Sequence, residues 1–189
     1  MAKRKTKLIK KPKKKWFIAT APDIYKNTEI GEIAAFEPKN LVGRPIEINL
    51  FHLTGIPKDR KKLMRLKITD TRGEKALTMP WKLFLKESYV QRACRRFKER
   101  IITIITSKTK DDKKIKVKLL TLSIKKLPRI VKTEVTKKAE QILSDEISKI
   151  KSTDFFVSQN LAKASSALKK ELKMIYPINK IIFWKITLI

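Results

Sequence analysis

Hydrophobic and polar residues alternate along two stretches of the chain, residues 45–51 and residues 60–70. A period of two places every second side chain on the same face, which is typical of a strand with one buried and one exposed face. After a short turn containing glycine, residues 74–79 can return as the hairpin partner of the second stretch. Arg65 and Lys67 alternate with the apolar residues there, so we expect a half-buried sheet with a basic outer face.

The period changes to that of a helix over residues 87–99, where apolar residues recur every three to four positions. Two strands are predicted next, at residues 101–106 and 115–122. Both carry apolar residues on both faces, so we expect both to be central in the sheet. After Pro128 the apolar spacing predicts two helices, with residues 153–154 capping the second. A C-terminal run rich in Ile, Phe and Trp predicts a final strand that returns to the sheet.

This order of elements predicts an α+β fold, in which a β-barrel or a curled mixed sheet is flanked by helices. The apolar run at residues 16–19 predicts its first strand. We expect a basic extension over residues 1–15, followed by a single α+β domain over residues 16–189. Within that domain we expect a β-rich body over about residues 16–127, a helical part over about residues 130–176 and the final strand over about residues 178–189.

The charge of the chain indicates its partner. Its 189 residues include 47 Lys or Arg and 18 Asp or Glu, which leaves a formal net charge of +29. A domain of this size normally carries a net charge of about 2–8 in magnitude. Because so much charge of one sign opposes a compact fold, we expect a polyanionic partner, most commonly nucleic acid, rather than the role of a free-standing metabolic enzyme. Hydrophobic residues make up 42% of the chain, which is enough for a core.

Residues 1–15 contain nine of the cations and no acidic residue. Charges of one sign in a short segment repel one another, so we expect this N-terminal arm to be disordered alone and to become ordered on RNA phosphates. A solubilising or nuclear-import tail is the alternative. Trp16 directly follows the arm and can stack on an exposed base, although its place at the start of a predicted strand favours a position in the core.

Two further groups of cations are candidates for phosphate contact. Four arginines near residues 92–100 are predicted to share one helix, and a guanidinium group matches phosphate oxygens bidentately. Four lysines lie in the loop over residues 107–114. The residues expected to bind RNA are Lys3, Arg4, Lys5, Lys7, Lys10, Lys11, Lys13, Lys14, Lys15, Trp16, Arg44, Arg65, Lys67, Arg92, Arg95, Arg96, Arg100, Lys108, Lys110, Lys113 and Lys114.

Catalytic and metal-binding patterns are missing from the sequence. The single histidine, His52, and the single cysteine, Cys94, are too few for a usual zinc site of about four ligands. The four glycines form no phosphate-binding loop, and we interpret Asp111 with Asp112 as a turn rather than as Mg²⁺ ligands. We therefore expect no enzymatic activity, no catalytic residues, no bound metal and no cofactor. Residues 178–189 are the most apolar stretch and are too short to span a bilayer, so we expect no membrane association.

Several segments together resemble one known family, the archaeal and eukaryotic small-subunit ribosomal protein family S-three-A-e, also called eS-one. The similar segments are residues 14–18 with 21–22 and 30–32, residues 41–55, the Tyr89-Val90 segment with its arginines, and residues 175–177. Pro45, Asn49 and His52 depart from the residues that are usual at these positions. The long acidic or polar tail of eukaryotic members has no counterpart here, which indicates an archaeal-type or reduced member.

The resemblance implies a structural role in translation, in the small ribosomal subunit, on the platform near the messenger-RNA exit and beside the 3′ region of the small-subunit RNA. It also implies a β-barrel body flanked by helices, with neighbouring small-subunit ribosomal proteins as partners rather than a homo-oligomer. The location that it implies is cytoplasmic, in ribosomes. A basic DNA- or chromatin-binding protein is the alternative, because charge alone does not separate RNA from DNA. The sequence contains no zinc finger, heptad zipper or clear helix-turn-helix that would support that alternative.

Overall fold

The computed structural model describes residues 13–189, so the expectations for residues 1–12 of the arm lie outside the described residues. The strands are β1 (Lys15–Thr20), β2 (Glu29–Ala35), β3 (Pro45–Asn49), β4 (Lys62–Arg72), β5 (Lys75–Leu85), β6 (Glu99–Lys108), β7 (Lys114–Ser123) and β8 (Lys180–Leu188). The α-helices are α1 (Leu50–Thr54), α2 (Glu87–Arg95), α3 (Arg129–Lys149) and α4 (Ser158–Lys173). No helix in this part of the chain is both long and apolar enough to cross a membrane.

All the strands belong to one mixed sheet, and β5 joins its parts. One edge of β5 pairs with the antiparallel strand β4, which continues to β3. The other edge pairs first with β1, in the parallel pairing of Ala76 with Ala19, and then with β8, in the antiparallel pairing of Leu83 with Ile186. From there β1 continues to β2, while β8 continues to β7 and β6. Between residues 13 and 189 no pairing closes the sheet, so the predicted α+β fold with a curled mixed sheet is confirmed and a closed barrel is not formed.

Two helices cover one face of the sheet. Val135, Ala139, Leu143 and Ile147 lie four residues apart on α3 and are almost fully buried. They belong to one apolar cluster with strand residues of β4 to β8 and with the buried leucines of α4. Burial of one such aliphatic side chain contributes about 1.5–3 kcal/mol, so this cluster is the main source of stability. The predicted helices and the predicted return of the C-terminal strand, between β5 and β7, are both present.

The other face is covered in part by α2. Val90 and Ala93 pack against Leu120 and Leu122 of β7, in a second apolar cluster to which Cys94 is also adjacent. The helix is shorter than predicted, because it ends at Arg95 and the chain re-enters the sheet at Glu99. Helix α2 covers only the part of this face around Leu120 and Leu122, and we call the rest of the face the uncovered half of the sheet.

Three local predictions were wrong. The predicted strand over residues 45–51 ends at Asn49, because the side chain of Asn49 accepts a hydrogen bond from the backbone N–H of Phe51 (3.1 Å) and caps α1. Strand β6 lies at an edge of the sheet rather than in its centre, and its Ile102 and Ile104 are 45% and 52% exposed. Residues 153–154 do not cap α4, which instead begins after a 3₁₀ turn, Asp154–Phe156.

The β6–β7 hairpin is held against the connection between α3 and α4. Asp111 Oδ2 accepts hydrogen bonds from the backbone N–H (3.0 Å) and the hydroxyl (3.2 Å) of Ser152. Asp112 adopts a left-handed conformation with φ of 55°, as residues in tight turns often do. The interpretation of these two acids as a turn therefore agrees with the structure.

Candidate nucleic-acid interface

The uncovered half of the sheet carries cations from four strands on one face. Strands β4 and β7 alternate buried apolar residues with Arg65 and Lys67 and with lysines 114, 116 and 118, so these cations share one side of each strand. We define the basic sheet face as Arg65, Lys67, Lys82, Lys114, Lys116, Lys118 and Lys185.

Strand register brings these side chains next to one another. Arg65 of β4 lies directly opposite Lys82 of β5, and Lys118 of β7 lies directly opposite Lys185 of β8. Lys185 also lies opposite Phe84, two residues beyond Lys82 on the same side of β5. Directly opposite side chains in an antiparallel pair have Cβ atoms about 4.5–5.5 Å apart. The sheet therefore presents a continuous row of cations across β4, β5, β8 and β7.

Two aromatic rings lie within this row. The pairing of β7 with β8 shifts between Lys118 and Leu119, which leaves Trp184 as an extra residue beside Lys185. A bulge of this kind re-aims a side chain, and Trp184 here lines a depression together with Arg65, Lys82, Lys118 and Lys185. The Lys118 ammonium lies 4.0 Å from the centre of the Trp184 ring, and the Arg65 guanidinium lies 5.1 Å from the centre of the Phe84 ring. Both distances are typical of cation–π contacts.

Acidic groups neutralise little of this charge. Among residues 13–189, the one ion pair made by the basic sheet face joins Arg65 Nε to Glu47 Oε2 of β3 at 2.7 Å. Burial lowers the pKa of the Lys82 ammonium, and the positive charges of Lys185 and Arg65 lower it further. The face is thus electrostatically unfavourable in the isolated protein, and an anion with several charges would relieve the repulsion.

The arginines predicted to share one helix are divided between α2 and β6. Arg92 and Arg95 are exposed on α2, Arg96 is the residue that ends that helix, and Arg100 belongs to β6. The prediction that Arg100 shares the helix was wrong, because Glu99 to Lys108 pair in continuous register with β7. Arg100 instead lines a second depression, which contains Trp184, so it lies near the basic sheet face from the side of α2.

The remaining predicted residues are exposed at several separate places. Arg44 precedes β3 and lies opposite Ile68, whose backbone N–H donates a hydrogen bond to the Arg44 carbonyl at 3.1 Å. In the β6–β7 hairpin, Lys108 lies opposite Lys114, and the predicted residues Lys110 and Lys113 are exposed in the turn.

The described part of the arm leads into the sheet. Lys13 and Lys14 are exposed, and Lys15 is the first residue of β1. Trp16 is 64% exposed, so the interpretation of this tryptophan as a core residue was wrong and its ring is available for stacking. The predicted contacts of Lys3, Arg4, Lys5, Lys7, Lys10 and Lys11 lie outside the described residues.

Sequence reasoning missed four members of the face: Lys82, Lys116, Lys118 and Lys185. The alternation of lysine with Ile115 and Val117 in β7 was visible and identifies Lys116 and Lys118 as facing solvent. No comparable signal existed for Lys82 and Lys185. Both follow a bulge, at Trp81 and at Trp184, and a bulge changes which face the next residues occupy.

The structure offers little chemistry besides charge. Between residues 13 and 189 no group of three or more His, Cys, Asp or Glu side chains could hold a metal ion. His52 is exposed on α1, with its ring 5.8 Å from that of Phe51, and Cys94 is a partly buried free thiol on α2, packed against the second apolar cluster. The arrangement is therefore suited to binding a polyanion.

Comparison with known proteins identifies the family. A chain from Archaeoglobus fulgidus named "Small ribosomal subunit protein eS1" is 28% identical over 178 residues, which cover 93% of this chain and 84% of the relative. A protein of the same name from Halorubrum lacusprofundi is 31% identical, covering 93% and 81% of the two chains, and one from Sulfurisphaera tokodaii is 29% identical, covering 89% and 87%. The family model described as "Ribosomal S3Ae family" matches residues 2–189, and the chain belongs to this family of ribosomal proteins.

Proposed function

We propose that the protein is a structural constituent of the small ribosomal subunit and that it binds ribosomal RNA through its basic sheet face and its N-terminal arm. The observation that carries the proposal is the basic sheet face, where cations from four strands adjoin one another and a single carboxylate pairs with them in the described chain. RNA phosphates supply the missing negative charge. Membership of a ribosomal protein family agrees with the prediction that the chain is not an enzyme.

The geometry supports contact with both the backbone and the bases of RNA. The lysines of β7 and β8 contact phosphates, while Trp184 and Phe84, set between cations, stack with unpaired bases. Exposed Arg92 and Arg95 of α2 extend the contact to neighbouring phosphates. In this proposal residues 1–15 form an extension that follows the RNA, and residues 16–189 act as one domain.

The location within the ribosome follows the family resemblance. We place the protein on the platform of the small subunit near the messenger-RNA exit, beside the 3′ region of the RNA and in contact with neighbouring small-subunit proteins. This placement also implies a cytoplasmic location in ribosomes. The relatives named above support the assignment to the small subunit, since each is named as a small ribosomal subunit protein.

The test compares two triple variants with the same change in charge. One replaces Lys82, Lys118 and Lys185 with Gln, and the control replaces three exposed lysines of α3 and α4, namely Lys137, Lys163 and Lys170. Titration with small-subunit RNA at several salt concentrations should show a slope of log K against log salt that is lower by about 2–3 units for the first variant, because each phosphate contact contributes about 0.7–0.9. The control should keep the slope of the unmodified protein.

Sedimentation distinguishes this function from DNA binding. The unmodified protein should sediment with small ribosomal subunits in a sucrose gradient, and a duplex DNA competitor should not displace it. Equal loss of RNA affinity in both triple variants would show that the net charge acts without a specific surface. Sedimentation away from the subunits would refute the ribosomal role itself.

A further inference from the structure

Two lysines converge on the hydroxyl of Tyr89 in an open cleft between the first turns of α4 and the start of β8, on the far side of Phe84 from the cations of the basic sheet face. Lys61 Nζ lies 3.2 Å from the Tyr89 hydroxyl, and Lys180 Nζ lies 3.1 Å from the same oxygen. Lys61 comes from the 3₁₀ turn Pro57–Lys61, Tyr89 from α2 and Lys180 from the first position of β8. Three segments distant in sequence therefore build one cluster.

No acidic group balances these two ammonium groups. Within residues 13–189, neither Lys61 nor Lys180 has a carboxylate within 4.0 Å, so neither forms an ion pair. The neighbouring acid, Asp59, is buried and already binds Lys62 at 2.9 Å, besides accepting hydrogen bonds from the hydroxyls of Thr54 and Ser158. The cluster thus holds two unbalanced positive charges close together, which is favourable only in the presence of an anion.

The cluster offers hydrogen-bond donors to a ligand that can accept them. A tyrosine hydroxyl has one hydrogen to donate and two lone pairs that accept. Both lone pairs of Tyr89 accept from the lysines, so the hydroxyl hydrogen remains, and the structure shows no protein acceptor for it in the described chain. Each ammonium group also keeps hydrogens beyond the one that Tyr89 accepts. All free groups of the cluster are donors, as a phosphate oxygen requires.

The cleft has room for such a group. Its volume is about 250 Å³, well above the roughly 10–15 Å³ that a cavity needs to hold one water molecule, and Lys58 and Ser165 line it together with the cluster on an otherwise largely apolar wall. Burial raises the pKa of the Tyr89 hydroxyl, but hydrogen bonds from Lys180 and Lys61 bring it below its ordinary value overall. This direction agrees with a local environment that favours negative charge.

We propose that Lys61, Tyr89 and Lys180 form a binding site for one backbone phosphate of RNA, separate from the basic sheet face. The site rests on the proposed RNA-binding function and adds a defined contact to it. Each lysine provides charge, and the Tyr89 hydroxyl donates its hydrogen to a phosphate oxygen. Phosphate binding would fix the start of β8 and the start of α2 to the same point on the RNA backbone.

Phosphate ethylation interference on the full-length protein tests the site. The probe is small-subunit RNA carrying random ethyl groups on its phosphates, which remove the charge at one position in each molecule. The variants are Tyr89→Phe, which keeps the ring and the net charge, and Lys61→Gln with Lys180→Gln. A pair of exposed lysines, Lys137→Gln with Lys163→Gln, is the control of equal charge.

We expect interference at one phosphate to disappear in the lysine-pair variant, to weaken in Tyr89→Phe, and to remain in the control. Tyr89→Phe should lower RNA affinity about 10-fold, as loss of a hydrogen bond to a charged group does, without changing the salt dependence. The lysine pair should lower the salt slope by about 0.7–0.9, the value for one phosphate. If unmodified protein shows interference and both cluster variants keep the whole pattern, the site is refuted and the proposed function stands. If unmodified protein shows no interference at all, the proposed function fails, and the site fails with it.

Discussion

Replacement of Lys82 by Gln should make the protein more stable and its binding to RNA weaker. Lys82 lies opposite Arg65 and is crowded by Lys185, and burial together with these charges lowers its pKa. Two like charges 4 Å apart repel by about 1 kcal/mol in water and by about 4 kcal/mol near a protein surface. Because this face is partly exposed and salt screens it, we expect the free energy of unfolding to rise by only about 0.5–1 kcal/mol.

Under the proposed function, the same substitution removes one phosphate contact. A hydrogen bond to a charged group contributes about 1.5–3 kcal/mol, so RNA affinity should fall by about 10-fold or more at low salt. Urea unfolding measures the stability, and titration with small-subunit RNA measures the affinity. Lys137→Gln is a suitable control, because Lys137 is exposed on α3 and belongs to no ion pair in the described chain. The control should change neither quantity by much.

Opposite signs of the two effects are the essential result. If Lys82 only stabilised the fold, its replacement would lower the free energy of unfolding. If Lys82 contacted only solvent, its replacement would change neither the stability nor the affinity for RNA. If Lys82→Gln lowers the stability and the affinity together, the argument from like-charge crowding is wrong. If the stability rises and the affinity is unchanged, the basic sheet face is not the RNA surface at this position.

Three further predictions concern the arm, a buried acid and the tyrosines. Deletion of residues 2–14, which leaves β1 intact, should flatten the salt dependence of RNA binding by several units because eight cations are lost, and an unchanged slope would show that the arm is passive. Asp59→Asn should lower the free energy of unfolding by about 2–3 kcal/mol at neutral pH, since the buried carboxylate forms an ion pair with Lys62 and accepts hydrogen bonds from two hydroxyls. Burial raises the pKa of Asp59, but hydrogen bonds from Lys62 and Ser158 lower it overall. The stabilisation is therefore present above about pH 4, the range of the pKa of an unfolded aspartate, and is lost as the pH falls through the lower pKa of the folded protein. In urea unfolding, the stabilities of the variant and the unmodified protein should therefore converge in acid. Burial and the charge of Asp59 raise the pKa of Tyr25, whereas the pKa of Tyr89 is lowered. An absorbance titration of tyrosinate should therefore lose its component at the lowest pH in Tyr89→Phe. Loss of a component at high pH instead would contradict the assignment.

The division of the sheet into two faces explains how so basic a chain folds. One face carries the main apolar cluster beneath α3 and α4, and the other carries a smaller apolar cluster beneath α2. The cations lie on the uncovered half, on the solvent side of the helices and in exposed loops, where water and salt reduce their repulsion. The charge that binding requires therefore costs the fold little, except where strand register crowds Arg65, Lys82 and Lys185.

Local pattern in the sequence was sufficient for most elements. The alternation in β4 and the four-residue spacing on α3 are local properties of the sequence, and the observed strand and helix follow them closely. The charge of +29 likewise needs no fold to indicate a polyanionic partner. Errors occurred at the ends of elements, as at Asn49, where one side-chain cap converts the end of a strand into a helix. Such an end depends on a single hydrogen bond rather than on a repeating pattern.

Only the tertiary structure determined which cations lie together. Arg92 and Arg100 are close in sequence but belong to different elements, whereas Arg65 and Lys185 are far apart in sequence and line one depression. Strand order and register decide such neighbours, and both arise from long-range pairing that no short segment encodes. The bulge at Trp184 adds a further condition, because it shifts the register of β8 against β7 and places the ring beside Lys185. The sequence by itself therefore determined that this protein is basic, α+β and suited to a polyanionic partner, while the place where charge and aromatic rings meet was decided by how distant strands pair.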